Sequence, residues 1–146
     1  MSTASNAALV QFPAATGGSE TETWVGIGTA ASGAGVLLYR FALTASLAVS
    51  NLIQPQFAIG AIQVTDSGSV GNNLQDQILK LIFQNLAVAN IGNAGGLQPS
   101  TVAGSLYVSL HTADPGAGGS QTTNEAAYTS YSRVGVARSS AGWTVA

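Results

Sequence analysis

Residues 105–138, SLYVSLHTADPGAGGSQTTNEAAYTSYSRVGVAR, constrain the fold of this chain more than any other stretch. From Leu106 to His111 the side chains alternate: Leu106, Val108 and Leu110 fall on one face of an extended segment, Tyr107, Ser109 and His111 on the other. A dense turn signal follows. Pro115 fixes its own φ and drives Asp114 out of the helical region, and Gly116 can take positive φ. A long Gly/Ser/Thr loop then leads back into extended chain at Arg133-Val134-Gly135-Val136-Ala137-Arg138. The stretch reads as a small β-domain that displays one long loop.

The rest of the chain supports that reading. Short strand-like runs occur at residues 7–12, 22–29, 36–43, 47–50, 57–65 and 142–145, separated by Gly, Pro and Asn turn signals. Residues 1–6 are small and polar and read as an arm. The run VLLYRFAL at 36–43 is apolar on both faces, the pattern of a central strand. One segment has helical period. Asn72 or Asn73 can cap it, with Gln75 or Asp76 in the capping-box position, and the helix is expected over about 73–89. The expected fold is therefore mainly β: a single domain over 1–146, an antiparallel β-sandwich of jelly-roll type with one buried helix. Its expected core holds Trp24, Leu38, Phe57, Ile78, Ile82, Leu106, Val108 and Val136.

Charge is scarce. Ten of the 146 residues are Asp, Glu, Lys or Arg, 7%, where ordinary globular proteins carry about 25%. Two readings stay open on composition alone: a subunit packed permanently into a large assembly, or a small neutral β-protein. The four basic residues, Arg40, Lys80, Arg133 and Arg138, do not cluster, so no phosphate-binding stripe forms and nucleic acid is not an expected partner. The chain has no cysteine, which removes thiol chemistry and thiolate metal sites. No run of ~20 apolar residues suggests a membrane span, and residues 1–12 lack the pattern of a signal peptide.

Candidate chemistry is thin. His111, with Asp114 three residues on, is the one place to look for a metal or acid–base pair. One imidazole and one carboxylate do not make a site, and the other acids are scattered singly, so neither catalysis, metal nor cofactor is expected. The bland roles are that His111 ends a strand and Asp114 hydrogen-bonds within its own turn. Replacing His111 with Gln should then cost at most about 1 kcal/mol. Tyr128 and Tyr131 suit either an interface or a cap over the β-structure, and the length of the loop around them favours interface use.

The segments LYVSLHTADPG (106–116), TNE (123–125), YSRV (131–134) and Gly142-Trp143 resemble a family of small tailed-phage virion proteins, often called phage tail fibre proteins. Members carry LYxxLHTADPG followed by NE, YxRV and a GW pair. Residues 6–16, 24–28, 37–39 and 57–65 resemble the segment that closes that family's chains, yet here they come first. The resemblance thus implies a circular permutation, with the two termini expected within about 15 Å.

A virion structural protein follows from the resemblance, with no enzymatic activity. Absence of heptads or repeats speaks against a fibre shaft. The role implied is a capsid cement (decoration) protein on the outer shell of the virion, made in the bacterial host cytoplasm. Its expected partners are the major capsid protein and further copies of itself, as dimer or trimer. The alternative is a tail fibre or tail-tip adhesin that touches host carbohydrate. Interface residues expected are Tyr128, Tyr131, Asp114, Asn124 and Glu125, within contact segments 1–6, 91–100 and 114–131.

Overall fold

The computed structural model describes residues 1–89, 91–92 and 95–146. The chain is mainly β, 41% strand against 9% helix, with antiparallel sheets, one helix and no closed barrel among the described residues, which is consistent with a β-sandwich. It divides into two compact units. One comprises residues 1–9, 57–105 and 136–146, the other residues 10–56 and 106–135.

The first unit is built on a three-stranded antiparallel sheet in the order β6 (Gln63–Asp66), β1 (Ser2–Asn6), β9 (Trp143–Val145). Residues 1–6, expected to be a polar arm, are thus its central strand. Ser2, Ala4 and Asn6 are buried, and inward residues this small give no apolar signal in the sequence. Asn6 does the work of a turn anchor: its Nδ2 donates to Ala8 O and Ala58 O (2.8 Å each), and its Oδ1 accepts from Ile62 N (2.9 Å). Ala4 lies opposite Val145, and Thr3 and Ala146 exchange backbone hydrogen bonds of 2.8 and 3.0 Å. The terminal strands are therefore neighbours, as expected.

Helix α1 (Asn72–Gln84) packs against β1 and β9. Its buried residues Gln75, Leu79 and Phe83 recur every four positions, and the Phe83 ring meets Trp143 edge-on at 4.8 Å. Two details depart from expectation. The N-cap is Gly71 with no side-chain capping bond, so neither Asn72 nor Asn73 forms the capping box. The helix also stops at Gln84 rather than 89, because Asn85 takes the left-handed conformation (φ 57°). Asn85 is held there by Ser100, whose N–H donates to Oδ1 and whose carbonyl accepts from Nδ2, 2.9 Å each. Arg138 closes the same end, its Nε donating to Ile82 O and its Nη2 to Leu81 O, both 2.7 Å. Of the segment expected to stop the helix and make contacts, Asn93 and Ala94 lie outside the described residues.

The second unit holds the long hairpin of β3 (Ser19–Gly28) and β4 (Leu37–Ser50), with β7 (Ser105–His111) from Leu106 onward and the first two residues of β8 (Val134–Ala137), in the sheet order β4-β3-β7-β8. A short pair, β2 (Val10–Gln11) with β5 (Gln56–Phe57), completes the strands. Strand β4 is the edge of its sheet, not its centre; Val36 before it is 63% exposed and Leu38 in it 41%. The strand is irregular within this run: between Ile27↔Tyr39 and Gly28↔Leu37 it gains one residue, Leu38, over β3, and a second irregularity follows between Trp24↔Ala42 and Glu22↔Leu47. Of the expected core, Leu106, Val108 and Val136 are buried, Trp24, Phe57, Ile78 and Ile82 half-buried, and Leu38 exposed. Val25, Ile27, Val108 and Leu110 form the apolar row that does close, paired directly across β3 and β7.

Candidate functional site

Strand β7 is buried on both faces along its second half, Val108 to His111. Its apolar face joins the row just described; its polar face is covered by the loop that follows it. The pairing puts Trp24 opposite His111 and Gly26 opposite Ser109. His111 Nδ1 lies 2.9 Å from Thr123 O, and a carbonyl can only accept, so Nδ1 carries the proton. His111 Nε2 therefore accepts from the Ser109 hydroxyl at 2.8 Å. In an open cleft this would be a nucleophile with its base. Here both residues are wholly buried. A Cβ on Gly26 would come within 2.7 Å of Nε2, of Ser109 Oγ and of Leu37, so no reacting atom fits beside the hydroxyl. The pair is a buried fastening for the loop.

That burial changes the expectation for His111. Burial lowers its pKa below the ordinary 6.5, against smaller opposing contributions from Thr123 O and Glu125. A lowered folded-state value means stability is lost as pH falls below ~6.5, where the unfolded chain takes up a proton that the folded chain resists. His111→Gln should cost about 1–3 kcal/mol, because two buried hydrogen bonds are disturbed, and should remove this acid sensitivity. Urea unfolding between about pH 5 and 8 checks both.

Farther along the loop, Arg133 is the anchor. Its Nε and Nη2 donate to Glu125 Oε1 (2.6 Å) and Oε2 (2.7 Å), its Nη1 to Ala30 O and its Nη2 to Gly33 O, both 2.8 Å. The Tyr131 hydroxyl donates to Glu125 Oε1 (3.0 Å) and accepts from Leu110 N (3.1 Å). Burial pushes its pKa well up, so the phenol stays protonated. The Tyr131 ring stacks on Phe12 at 6.2 Å and meets Tyr128 edge-on at 5.3 Å. Tyr128 is 3% exposed and donates to Pro13 O at 3.0 Å; burial, with Glu22 and Glu20 beside it, pushes its hydroxyl up to about 12.

Below these rings lie two acids on the same face of β3. Glu20 Oε1 accepts from the N–H groups of Ala127 (2.8 Å) and Tyr128 (2.7 Å). Glu22 is fully buried and neither of its carboxyl oxygens accepts a hydrogen bond; protonated, it donates to the neighbouring Glu20. Burial, reinforced by the neighbouring Glu20, pushes its pKa up to about 8, so Glu22 is mostly a neutral acid at pH 7.

The structure brings three of the expected interface residues, Glu125, Tyr128 and Tyr131, into one cluster. The other two, Asp114 and Asn124, are exposed at the loop's outer turn. Asp114 Oδ1 accepts from Gly116 N (2.8 Å), the turn bond expected of it, and Asn124 Nδ2 donates to Asp114 O (3.0 Å). Asp114 also pairs with Arg40 at 2.5 Å. Sequence reading passed over Glu20 and Glu22 as isolated acids, although their i, i+2 spacing on a strand puts them on one face. For Arg133 the sequence shows a strand residue and one of four unclustered cations, with no sign of its partners.

Among the described residues no group of three His, Cys, Asp or Glu could hold a metal ion, and no helix is long and apolar enough to cross a membrane. Residues 1–65 match the family model described as Podophage GP4 fiber I protein gp80. No curated protein and no solved structure matches the chain. The match covers the segments at 6–16, 24–28, 37–39 and 57–65 that resemble a phage virion family on sequence alone.

Proposed function

We propose that this chain is a non-enzymatic structural protein of a tailed-phage virion, working through contact area summed over many copies. The observation that carries the reading is the match of residues 1–65 to a phage fibre protein family. The closed Ser109–His111 pair suits it, since nothing there admits a substrate. So does the surface, with few charges and several large apolar residues in the open. Leu52 is 79% exposed and holds a left-handed backbone (φ 71°); its N–H donates to Ala15 O at 2.8 Å, but its side chain is left in the open. Contact with the major capsid protein, or with further copies of this chain, would supply the missing burial.

Two placements in the virion follow. As a cement protein it would clamp neighbouring capsid subunits on the outer shell, which the scarcity of charge supports. As a fibre or tail-tip component it would face the host, which the description of the matched family as a fibre protein supports. In either place Asp114 and Asn124 are the contact residues best exposed, with Glu125, Tyr128 and Tyr131 holding the loop that presents them. A permuted chain order relative to the phage family remains part of this proposal. Copy number separates the placements: a cement protein is expected in hundreds of copies per virion, a tail component in a few to some tens. Deletion should give heads that lose genome on heating in the first case. In the second, heads should stay stable while adsorption fails. Wild-type behaviour on both counts would sink the virion reading itself.

A further inference from the structure

Between Glu125, held by Arg133, and Tyr131, whose hydroxyl meets Leu110 N, the loop crosses the two acids of β3. Glu20 Oε1 accepts from the N–H groups of both Ala127 (2.8 Å) and Tyr128 (2.7 Å). The other bonds that fasten this segment are between neutral groups: Ala126 N donates to Leu110 O (2.9 Å), Thr129 N to Gly17 O (3.1 Å) and the Tyr128 hydroxyl to Pro13 O (3.0 Å). Glu22, two residues along the same strand face, is fully buried; its oxygens accept no hydrogen bond and its acid proton is donated to Glu20. The carboxyl that carries the loop is thus also the one that takes the Glu22 proton.

We propose that the Glu20–Glu22 pair is a proton-controlled latch: segment 126–130 stays fastened to β3 while Glu22 keeps its proton and is released when that proton leaves. Losing the proton removes the hydrogen bond to Glu20 and puts a desolvated negative charge beside a second carboxyl. The closed segment offers that charge no compensation. The titratable groups facing it are Glu20 on its own strand and the Tyr128 phenol on the loop, whose hydroxyl is turned to Pro13 O. The facing β4 residues Leu47 and Val49 and the turn at 13–17 carry no charge. Farther along the same face, His111 and Arg40 lie opposite Trp24 and Gly26, and Arg40 pairs with Asp114. Opening lets water reach Glu22. It stays local, because the Glu125–Arg133 fastening does not involve either acid of β3. The loop that presents Asp114 and Asn124 is then tight at low pH and loose at high pH. The latch is a property of the isolated chain, so its test is independent of where the protein sits in a virion.

Linkage fixes the size of the effect. Glu22 ionises near 4.5 when open to water and near 8 when covered, so the ratio of open to closed segment rises about tenfold per pH unit between those values and levels off above them. Amide hydrogen exchange of the full chain, read by NMR and corrected for the intrinsic pH dependence of exchange, tests this. Protection of the Ala127 and Tyr128 amides should fall about a hundredfold between about pH 5.5 and 7.5. It should also stay at least about tenfold below that of Val25 and Ile27 in the inner strand β3. In Glu22→Gln both amides should keep one level of protection across the range. In Glu20→Gln, where Glu22 titrates without its neighbour's charge, the fall should level off at lower pH. Protection independent of pH in the parent overturns the proposal, as does the same slope in Glu22→Gln. So does equal protection of the loop amides and those of Val25 and Ile27, which would mark global unfolding instead of a latch.

Discussion

A Glu22→Gln variant is expected to be more stable than the parent by a few kcal/mol at about pH 9 and nearly equal to it at about pH 4. Below about pH 4.5 the carboxyl is protonated in both folded and unfolded chains, and Gln is close to isosteric with it. Between 4.5 and about 8 the folded chain keeps a proton that the unfolded chain has released. Stability is thus fully present on the acid side and is lost as pH rises through the folded value. At 1.36 kcal/mol per unit the whole rise corresponds to about 4–5 kcal/mol, a ceiling for the alkaline loss. The primary amide of Gln carries no charge to desolvate and keeps a donor for the neighbouring Glu20. Thermal or urea unfolding from about pH 4 to 10 decides it: above about pH 6.5 the parent's curve should fall and the variant's should lie flat, while both keep the acid-side loss that His111 brings. Parallel curves would show that Glu22 reaches solvent or a partner in solution.

Glu22 also marks where sequence reading succeeds and fails. Strand alternation, turn chemistry and the single helical period made the mainly β class legible, because each is local. The edge position of β4 was hidden, since a bulged edge strand and a central strand can show the same two-faced apolar pattern. The β1 strand was missed for the opposite reason. Ser2, Ala4 and Asn6 are buried through hydrogen bonds and close packing of small groups, and hydrophobicity does not register that. At the candidate site, the loop residues 114–131 stood out by their length and turn residues. What holds the loop did not, since Glu125, Arg133, Ala30 and Gly33 meet only across 8 to 103 residues of sequence. Long-range polar satisfaction is a property of the folded chain, and composition and spacing carry little trace of it.

Arg133→Ala is expected to be the most damaging single change in the second unit, at about 3–5 kcal/mol, the usual result of removing one member of a buried ion pair. The side chains of Arg133 and Glu125 are 2% and 15% exposed. Without the guanidinium, the Glu125 carboxylate keeps only the Tyr131 hydroxyl among the partners described, and the Ala30 carbonyl loses its donor, while Gly33 O keeps Gly35 N at 2.9 Å. Desolvation then goes uncompensated at two acceptors, the carboxylate and the Ala30 carbonyl, rather than one. Arg133→Lys should recover only part of the loss, because an ammonium cannot hold both carboxylate oxygens while also reaching two carbonyls. The double variant Arg133→Met with Glu125→Leu should be more stable than Arg133→Ala, since the orphaned charge is gone, although Tyr131 then has only Leu110 N as a hydrogen-bond partner. Unfolding midpoints for the three variants test the order. The network spans from the loop to the turn at residues 30–33, so it is also what makes the displayed loop a rigid presenter of Asp114 and Asn124. Proteolysis should therefore begin within residues 114–131 in Arg133→Ala and not in the parent. A variant that melts and cleaves like the parent would mean that the aromatic stack of Phe12, Tyr128 and Tyr131 holds the loop by itself.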